Sequence, residues 1–206
     1  IFWLDRVWIT STALRTSSLT HFNRSFAARQ RSLASAHSLL TASHWSGADL
    51  YELLQSQLVE TIGDDRAVVT RGPNVFLPPQ ITLQLGLILF ELASNARKHG
   101  ALSVPGGQIE VTWSVAKGPV APQLHLVWRE RGGPPVIPPA RRGFGTTLIE
   151  RAGNQAHFKA SLGFEAAGLV CRISADLSAI APGTAAYFNP RRRPSDGRAE
   201  GQPAPA

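Results

Sequence analysis

The sequence predicts a chain that mixes α-helix with β-strand, and three observations give the order of these elements. The first is a helical stretch, Leu83 to Ser103, in which Leu85, Ile88, Leu89, Leu92 and Ala96 recur at i, i+3, i+4, i+7 and i+11 and share one apolar face. The second is alternation with a period of two. Ile109, Val111, Trp113 and Val115 interleave with Glu110, Thr112 and Ser114, and Leu124, Leu126 and Trp128 alternate again after a turn at Lys117 to Pro122. These read as two adjacent antiparallel strands. The third is a closing hairpin, Phe158 to Phe164 and Leu169 to Leu177, with Leu169, Cys171, Ile173, Ala175 and Leu177 on one face.

Composition supports a buried core. The chain has 206 residues, 43% hydrophobic and 17% charged, enough for one sizeable domain plus a small one. The formal net charge of +7 is compatible with nucleic acid, an anionic membrane or a phosphate-rich ligand. The excess lies largely in arginine clusters in a loop and the tail, and no strand face interleaves aromatic with basic residues. No specific nucleic-acid partner is therefore expected. The single cysteine, Cys171, excludes an intramolecular disulfide, fits a reducing, cytoplasmic setting and is expected to be a small buried hydrophobe. No run is long enough to cross a bilayer, and IFWL at the start lacks the organisation of a signal peptide. No methionine occurs, even at position 1, so the chain is read as a fragment or a processed product.

Taken in order, residues 1 to 13 hold Phe2, Trp3, Val7, Trp8 and Ile9, which favour burial. Leu14 to Leu40 reads as a helix with Thr20 as its N-cap. Phe22, Phe26, Leu33, His37 and Leu40 lie near one stripe, with Arg24, Arg29, Gln30 and Arg31 mostly elsewhere. Trp45 is expected to anchor packing, and His21 and His37 to be surface or core-edge histidines. Asp49 to Val59 reads as a short helix and Gly63-Asp64-Asp65 as a turn. Ala67 to Thr70 and Val75 to Leu77 read as strands of a hairpin around Arg71-Gly72-Pro73-Asn74. Pro78-Pro79 opens the central helix, where proline is tolerated. Residues 131 to 142 form an irregular loop that can serve as a lid, and TTLIERAGNQA, from Thr146, reads as a helix. Pro190 to Ala206 is expected to be disordered.

The central helix carries a second stripe, Glu91, Asn95 and Lys98, at i, i+4 and i+7 and about a quarter-turn from the apolar face. An acid and an amide offer hard oxygens to Mg²⁺, and lysine offers charge to phosphate. The same spacing also describes an ordinary amphipathic helix with a solvated side. Glu130 follows Trp128 just past a strand end and precedes Gly132-Gly133, so it is either placed to meet a ligand or a surface acid. Gly143-Phe144-Gly145-Thr146 leads into a helix start, where glycine backbone and the positive helix end suit phosphate. Arg141 and Arg142 either assist there or are solvated.

Three motifs carry a family resemblance. FELASNARKHGALS resembles the N box of histidine-kinase ATP-binding domains, most closely that of the HWE family, usually HELATNAAKYGALS. WRERGGPPV, Trp128 to Val136, resembles that family's W-x-E segment, and RRGFGTTLIER, Arg141 to Arg151, resembles its glycine-rich G2 box. The order and spacing match from near Leu14 to near Leu177. The resemblance implies a two-layer α/β sandwich: a mixed sheet with helices on one face, preceded by a partial helical hairpin. It implies an incomplete dimerisation and phosphoacceptor region at 1–50, an ATP-binding kinase domain at 51–180 and a disordered tail at 181–206. ATP and Mg²⁺ are the implied cofactors. Asn95 would ligate Mg²⁺, Glu91 would orient water or metal, and Lys98 would steady a phosphate. Glu130 would take the place of the aspartate with which most related ATPases bind the adenine amino group. Gly132, Gly133, Gly143, Phe144, Gly145 and Thr146 would line the site. The implied partners are a response-regulator receiver domain and, in the full-length protein, a second copy of the chain.

The departures are specific. Phe90 stands where the N box has histidine, His99 replaces tyrosine and Ser94 replaces threonine. The acceptor histidine is absent from the matching position, where Asp5 precedes Arg6-Val7. The expected activity is protein histidine kinase; the alternative is a degenerate, non-catalytic ATP-binding or interaction module.

Overall fold

The computed structural model describes residues 19–62, 67–118, 122–136, 144–152, 154–155 and 157–178. Four helices occur among them: α1 (Leu19–Ala42), α2 (Leu50–Ile62), α3 (Pro79–Lys98) and α4 (Phe144–Ala152). Six strands, β2 (Val68–Arg71), β4 (Gln108–Lys117), β5 (Pro122–Arg131), β6 (Asn154–Gln155), β7 (Phe158–Glu165) and β8 (Gly168–Asp176), form one sheet in the order β2-β4-β5-β8-β7-β6. The remaining pair, β1 (Ala48–Asp49) and β3 (Phe76–Leu77), stands apart as a two-residue ladder.

The sheet is mixed. β2 runs parallel to β4, joined through α3, and every other neighbouring pair is antiparallel. Parallel neighbours need such a crossover, whereas β7 and β8 are joined by a simple turn. One face of the sheet is apolar: Ile109, Val111, Trp113, Leu124, Leu126, Trp128, Cys171, Ile173 and Ala175 are all buried. On the opposite face Thr112, His125, Arg129, Arg172 and Ser174 keep contact with solvent. Among the described residues the helices therefore cover one face, and the two-layer α/β architecture expected from the motifs is the one observed.

Helix α3 is the centre of the helical layer. Pro79 occupies its first turn, and Leu85, Ile88, Leu89, Leu92 and Ala96 are fully buried in the core they share with the sheet. Each such leucine or isoleucine stabilises the fold by about 1.5–3 kcal/mol. Arg97 and Lys98 in the last turn complement the negative end of the helix dipole. Helix α2 begins just after Asp49, whose Oδ1 accepts the backbone N–H groups of Tyr51 (2.8 Å) and Glu52 (3.2 Å). Asp49 is thus a cap rather than a helical residue.

Several expectations are corrected. Leu19 is already helical, so Thr20 lies inside α1 rather than at its N-cap. The inward stripe of α1 is Arg29, Ser32, Ala36 and Leu40, while Leu33 is 44% exposed and His37 faces solvent. Partners from α2 and α3 outweigh the hydrophobic pattern: Ser32 Oγ donates to Gln57 Oε1 (2.5 Å), and Gln57 Nε2 donates back to the Ser32 carbonyl (3.2 Å). Trp45 does not anchor the core. It is 50% exposed, lies in a left-handed turn with His44 and sets its ring edge-on to His37 at 4.9 Å.

The segment around Arg71-Gly72-Pro73-Asn74 is not a hairpin, because β2 pairs with β4 and β3 with β1. Trp113 decides this. Its Nε1–H donates to the Pro73 carbonyl (2.7 Å), and its ring lies where a Cβ on Gly72 would sit, so the chain crosses over the indole instead of turning back. The helix read from Thr146 starts at Phe144 and ends at Ala152, and Asn154–Gln155 then pairs with β7. The expectations for residues 1–13, the turn at 63–65, Arg141, Arg142, Gly143 and the tail lie outside the described residues. No helix among the described residues is long and apolar enough to cross a membrane.

Small residues let α1 approach α3 closely: a Cβ on Gly86 would stand 3.3 Å from the Ala36 Cβ. Ala36→Leu is expected to overpack this contact and lower stability by about 1–3 kcal/mol, read as a shift in the urea unfolding midpoint. An unchanged midpoint would mean that α1 does not pack here in solution.

Candidate functional site

The site grows out of the C-terminal half of α3. Glu91 and Asn95 lie one turn apart, Glu91 only 3% exposed and Asn95 half-buried. Facing them is the first turn of α4. A Cβ on Gly145 would stand 2.8 Å from Glu91 Oε2 and 3.2 Å from Asn95 Nδ2. A side chain here would press on the Glu91 carboxylate and the Asn95 amide, so the glycine-rich segment meets the acid and the amide directly. Thr146, the next residue, is half-buried. Phe144 opens the helix; its side chain and Gly143 lie outside the described residues.

Both Glu91 oxygens are engaged from a third element. Arg29 on α1 donates from Nε to Oε1 at 2.5 Å and from Nη2 to Oε2 at 3.3 Å, a bidentate ion pair. Arg29 is itself 7% exposed. Sequence reasoning missed it, because the hydrophobic stripe of α1 pointed elsewhere. The available signal was the small-residue stripe Ser32, Ala36 with an arginine at its head, read against a glutamate on an apolar helix.

A second cluster lies just beyond the end of α3. Glu130 is 3% exposed and sits within β5, paired opposite Ile109, not past the strand end as expected. Its Oε2 accepts the Ala101 backbone N–H (2.8 Å) and its Oε1 the Trp128 indole N–H (3.3 Å). Burial raises the Glu130 pKa above its ordinary value, and these two donors offset part of the rise. Gly132 turns the chain at φ +69°, and Gly133 packs so tightly on Ala101 that a Cβ would stand 2.7 Å from its Cα.

One helix therefore joins three separated motifs. Gly145 touches Glu91 and Asn95 on α3, and Glu130 touches Ala101 just past the end of that helix. Lys98 is not drawn in; it is exposed at the end of α3. Phe90 is half-buried beside Glu91. Among the described residues no three His, Cys, Asp or Glu side chains cluster as a metal cage. A cation at Asn95 and Glu91 would have to complete its shell with water and phosphate oxygens, which is how Mg²⁺ is commonly held. The donor set of an acid, an amide and a glycine backbone at a helix start fits a Mg²⁺–phosphate group.

Comparison with known proteins bears on the family and the fold. The model of the HWE histidine kinase family matches residues 8–74. A blue-light-activated histidine kinase of Brucella ovis is 33% identical over 160 residues, 76% of this chain and 32% of that protein. Its counterpart in Brucella anthropi is 34% identical over 182 residues, 86% of this chain and 35% of that protein. The chain belongs to the HWE histidine kinase family. It spans about a third of the length of these curated relatives. The fold is also that of the histidine kinase domain from the Erythrobacter litoralis EL346 blue-light activated histidine kinase, with a TM-score of 0.58 at 17% identity, covering 84% of this chain and 82% of that one. The fold of that histidine kinase domain is thus present in this HWE chain.

Glu130 sets a pH signature. Its folded-state pKa exceeds the unfolded one, so the folded state holds the proton more tightly and stability falls as pH rises from about 4.5 through the raised value. Glu130→Gln removes the ionisation while keeping an acceptor for Ala101. The variant is expected to gain stability relative to the parent as pH rises through that window. Thermal unfolding of both between pH 4 and about 8 checks this; parallel curves would refute the burial argument.

Proposed function

We propose that this chain is the ATP-binding catalytic region of a two-component sensor histidine kinase, transferring the γ-phosphate of ATP to a protein histidine. The approach of Gly145 to Glu91 and Asn95 carries the reading, because it joins a glycine backbone, an acid and an amide at the mouth of a helix N-terminus. Asn95 would hold Mg²⁺ between the phosphates, and Glu91 would orient water or metal. Gly143, Phe144, Gly145 and Thr146 would line the phosphate end. Glu130 would accept the adenine amino group with Gly132 and Gly133 beside it, since its oxygens retain lone pairs beyond the two already used. Lys98, exposed on the final turn of α3, would steady a phosphate by reaching over from the rim. Bound Mg²⁺ would supply charge neutralisation of the phosphates. Phosphoryl transfer depends mainly on such positioning and neutralisation.

A response-regulator receiver domain, a second copy of the chain and a cytoplasmic setting belong to the same proposal. So does the division at residues 50 and 180 between a phosphoacceptor segment, a kinase domain and a tail. Phe90, in place of the family histidine, favours a second reading: a degenerate module that binds ATP, or a protein partner, without transfer. Labelling by γ-phosphate separates the two, since only a kinase passes that group to protein.

Titration with Mg-ATP is expected to show binding by the parent chain and at least about a tenfold loss in Asn95→Ala. Glu130→Gln is expected to lose affinity as well, with the loss persisting when magnesium is chelated. Equal affinity in the parent and Asn95→Ala would refute the metal role of Asn95.

A further inference from the structure

Glu91 is asked to serve water or metal, yet both its oxygens are held by a side chain from another helix. The pair is nearly closed to solvent, with side-chain exposures of 9% and 4%. The same Oε2 that accepts from Arg29 Nη2 borders Gly145, so the guanidinium reaches the end of the site assigned to phosphate and metal. A guanidinium and a divalent cation seek the same lone pairs and repel each other in so dry a place. They cannot both neutralise one carboxylate at full strength.

We propose that Arg29 is a displaceable counter-ion of Glu91. Its guanidinium compensates the buried carboxylate and holds α1 against α3. Mg²⁺ arriving with nucleotide takes the carboxylate from it and loosens α1 around Arg29. The Ser32–Gln57 pair, which does not touch Glu91, keeps the far half of α1 seated. The inference rests on the nucleotide-site reading above and adds a coupling between that site and the first helix. Such coupling is reciprocal: whatever weakens Arg29 on Glu91 strengthens Mg-nucleotide, and Mg-nucleotide weakens the docking of α1.

The test uses the 206-residue chain. Arg29→Gln keeps a hydrogen-bonding side chain but removes the competing charge. It is expected to bind Mg-ATP about fivefold or more tightly than the parent, with no tightening for ATP in the presence of a chelator. Unchanged or weaker Mg-ATP binding by Arg29→Gln, with the parent still binding, overturns the counter-ion proposal and leaves the nucleotide site standing. Failure of both proteins to bind ATP in any form overturns the nucleotide site and the coupling with it.

Because losing Arg29 leaves a buried carboxylate uncompensated, the variant is at risk of misfolding. A second measurement therefore uses the parent alone. Amide hydrogen exchange in α1 around Arg29 is expected to quicken on adding Mg-ATP and to stay unchanged on adding ATP with chelator. Slowed or unaltered exchange with bound Mg-ATP overturns the proposal.

Discussion

A carboxylate buried as deeply as Glu91 needs compensating donors, and much of the helical layer follows from how that need is met. Desolvating an unpaired charge costs several kcal/mol, more than any single hydrophobic contact returns. The donors come from Arg29, 62 residues earlier in the chain. Meeting Glu91 fixes the rotation of α1: Ser32 then falls opposite Gln57, Ala36 falls against Gly86, and Leu40 is fully buried. The polar pair thus selects which face of α1 is inward, and the larger apolar side chain Leu33 is left outside.

Just beyond the C-terminal end of α3 the same need is met by different means. Glu130 has no described cation; one backbone N–H and one indole N–H hold it. Neutral donors compensate a buried carboxylate less fully than a guanidinium, and the direction of the Glu130 pKa follows from that. Two acids flank one helix, one charge-compensated by arginine and one fixed by dipoles. That difference suits the two ligand groups proposed above: charged phosphate and metal near Asn95, a neutral base near Glu130.

Membership of the HWE family gives these features a context without erasing the departures. Phe90 puts an apolar ring next to Glu91 where relatives in the family place a histidine, so Glu91 has one fewer polar neighbour on its own helix. Arg29 supplies the strong polar contact that remains. The core beneath is insensitive to this exchange, since Leu85, Ile88, Leu89, Leu92 and Ala96 occupy a different side of α3.

What the sequence determined by itself was the local periodic information. The apolar stripe of α3, the alternation in β4, β5 and β8, and the motif order required only i, i+3, i+4 or i, i+2 spacing. Glu91, Asn95 and Glu130 stood out for the same reason, each at a fixed step from an apolar landmark. Tertiary structure decided everything that depends on a partner distant in the chain. The rotation of α1 was set by Glu91, the parallel placement of β2 by β4, and the path of Arg71 to Asn74 by the Trp113 indole. Spacing specifies which side chains share a face. It does not specify what that face will meet, and a buried charge or an indole met there outweighs local preference.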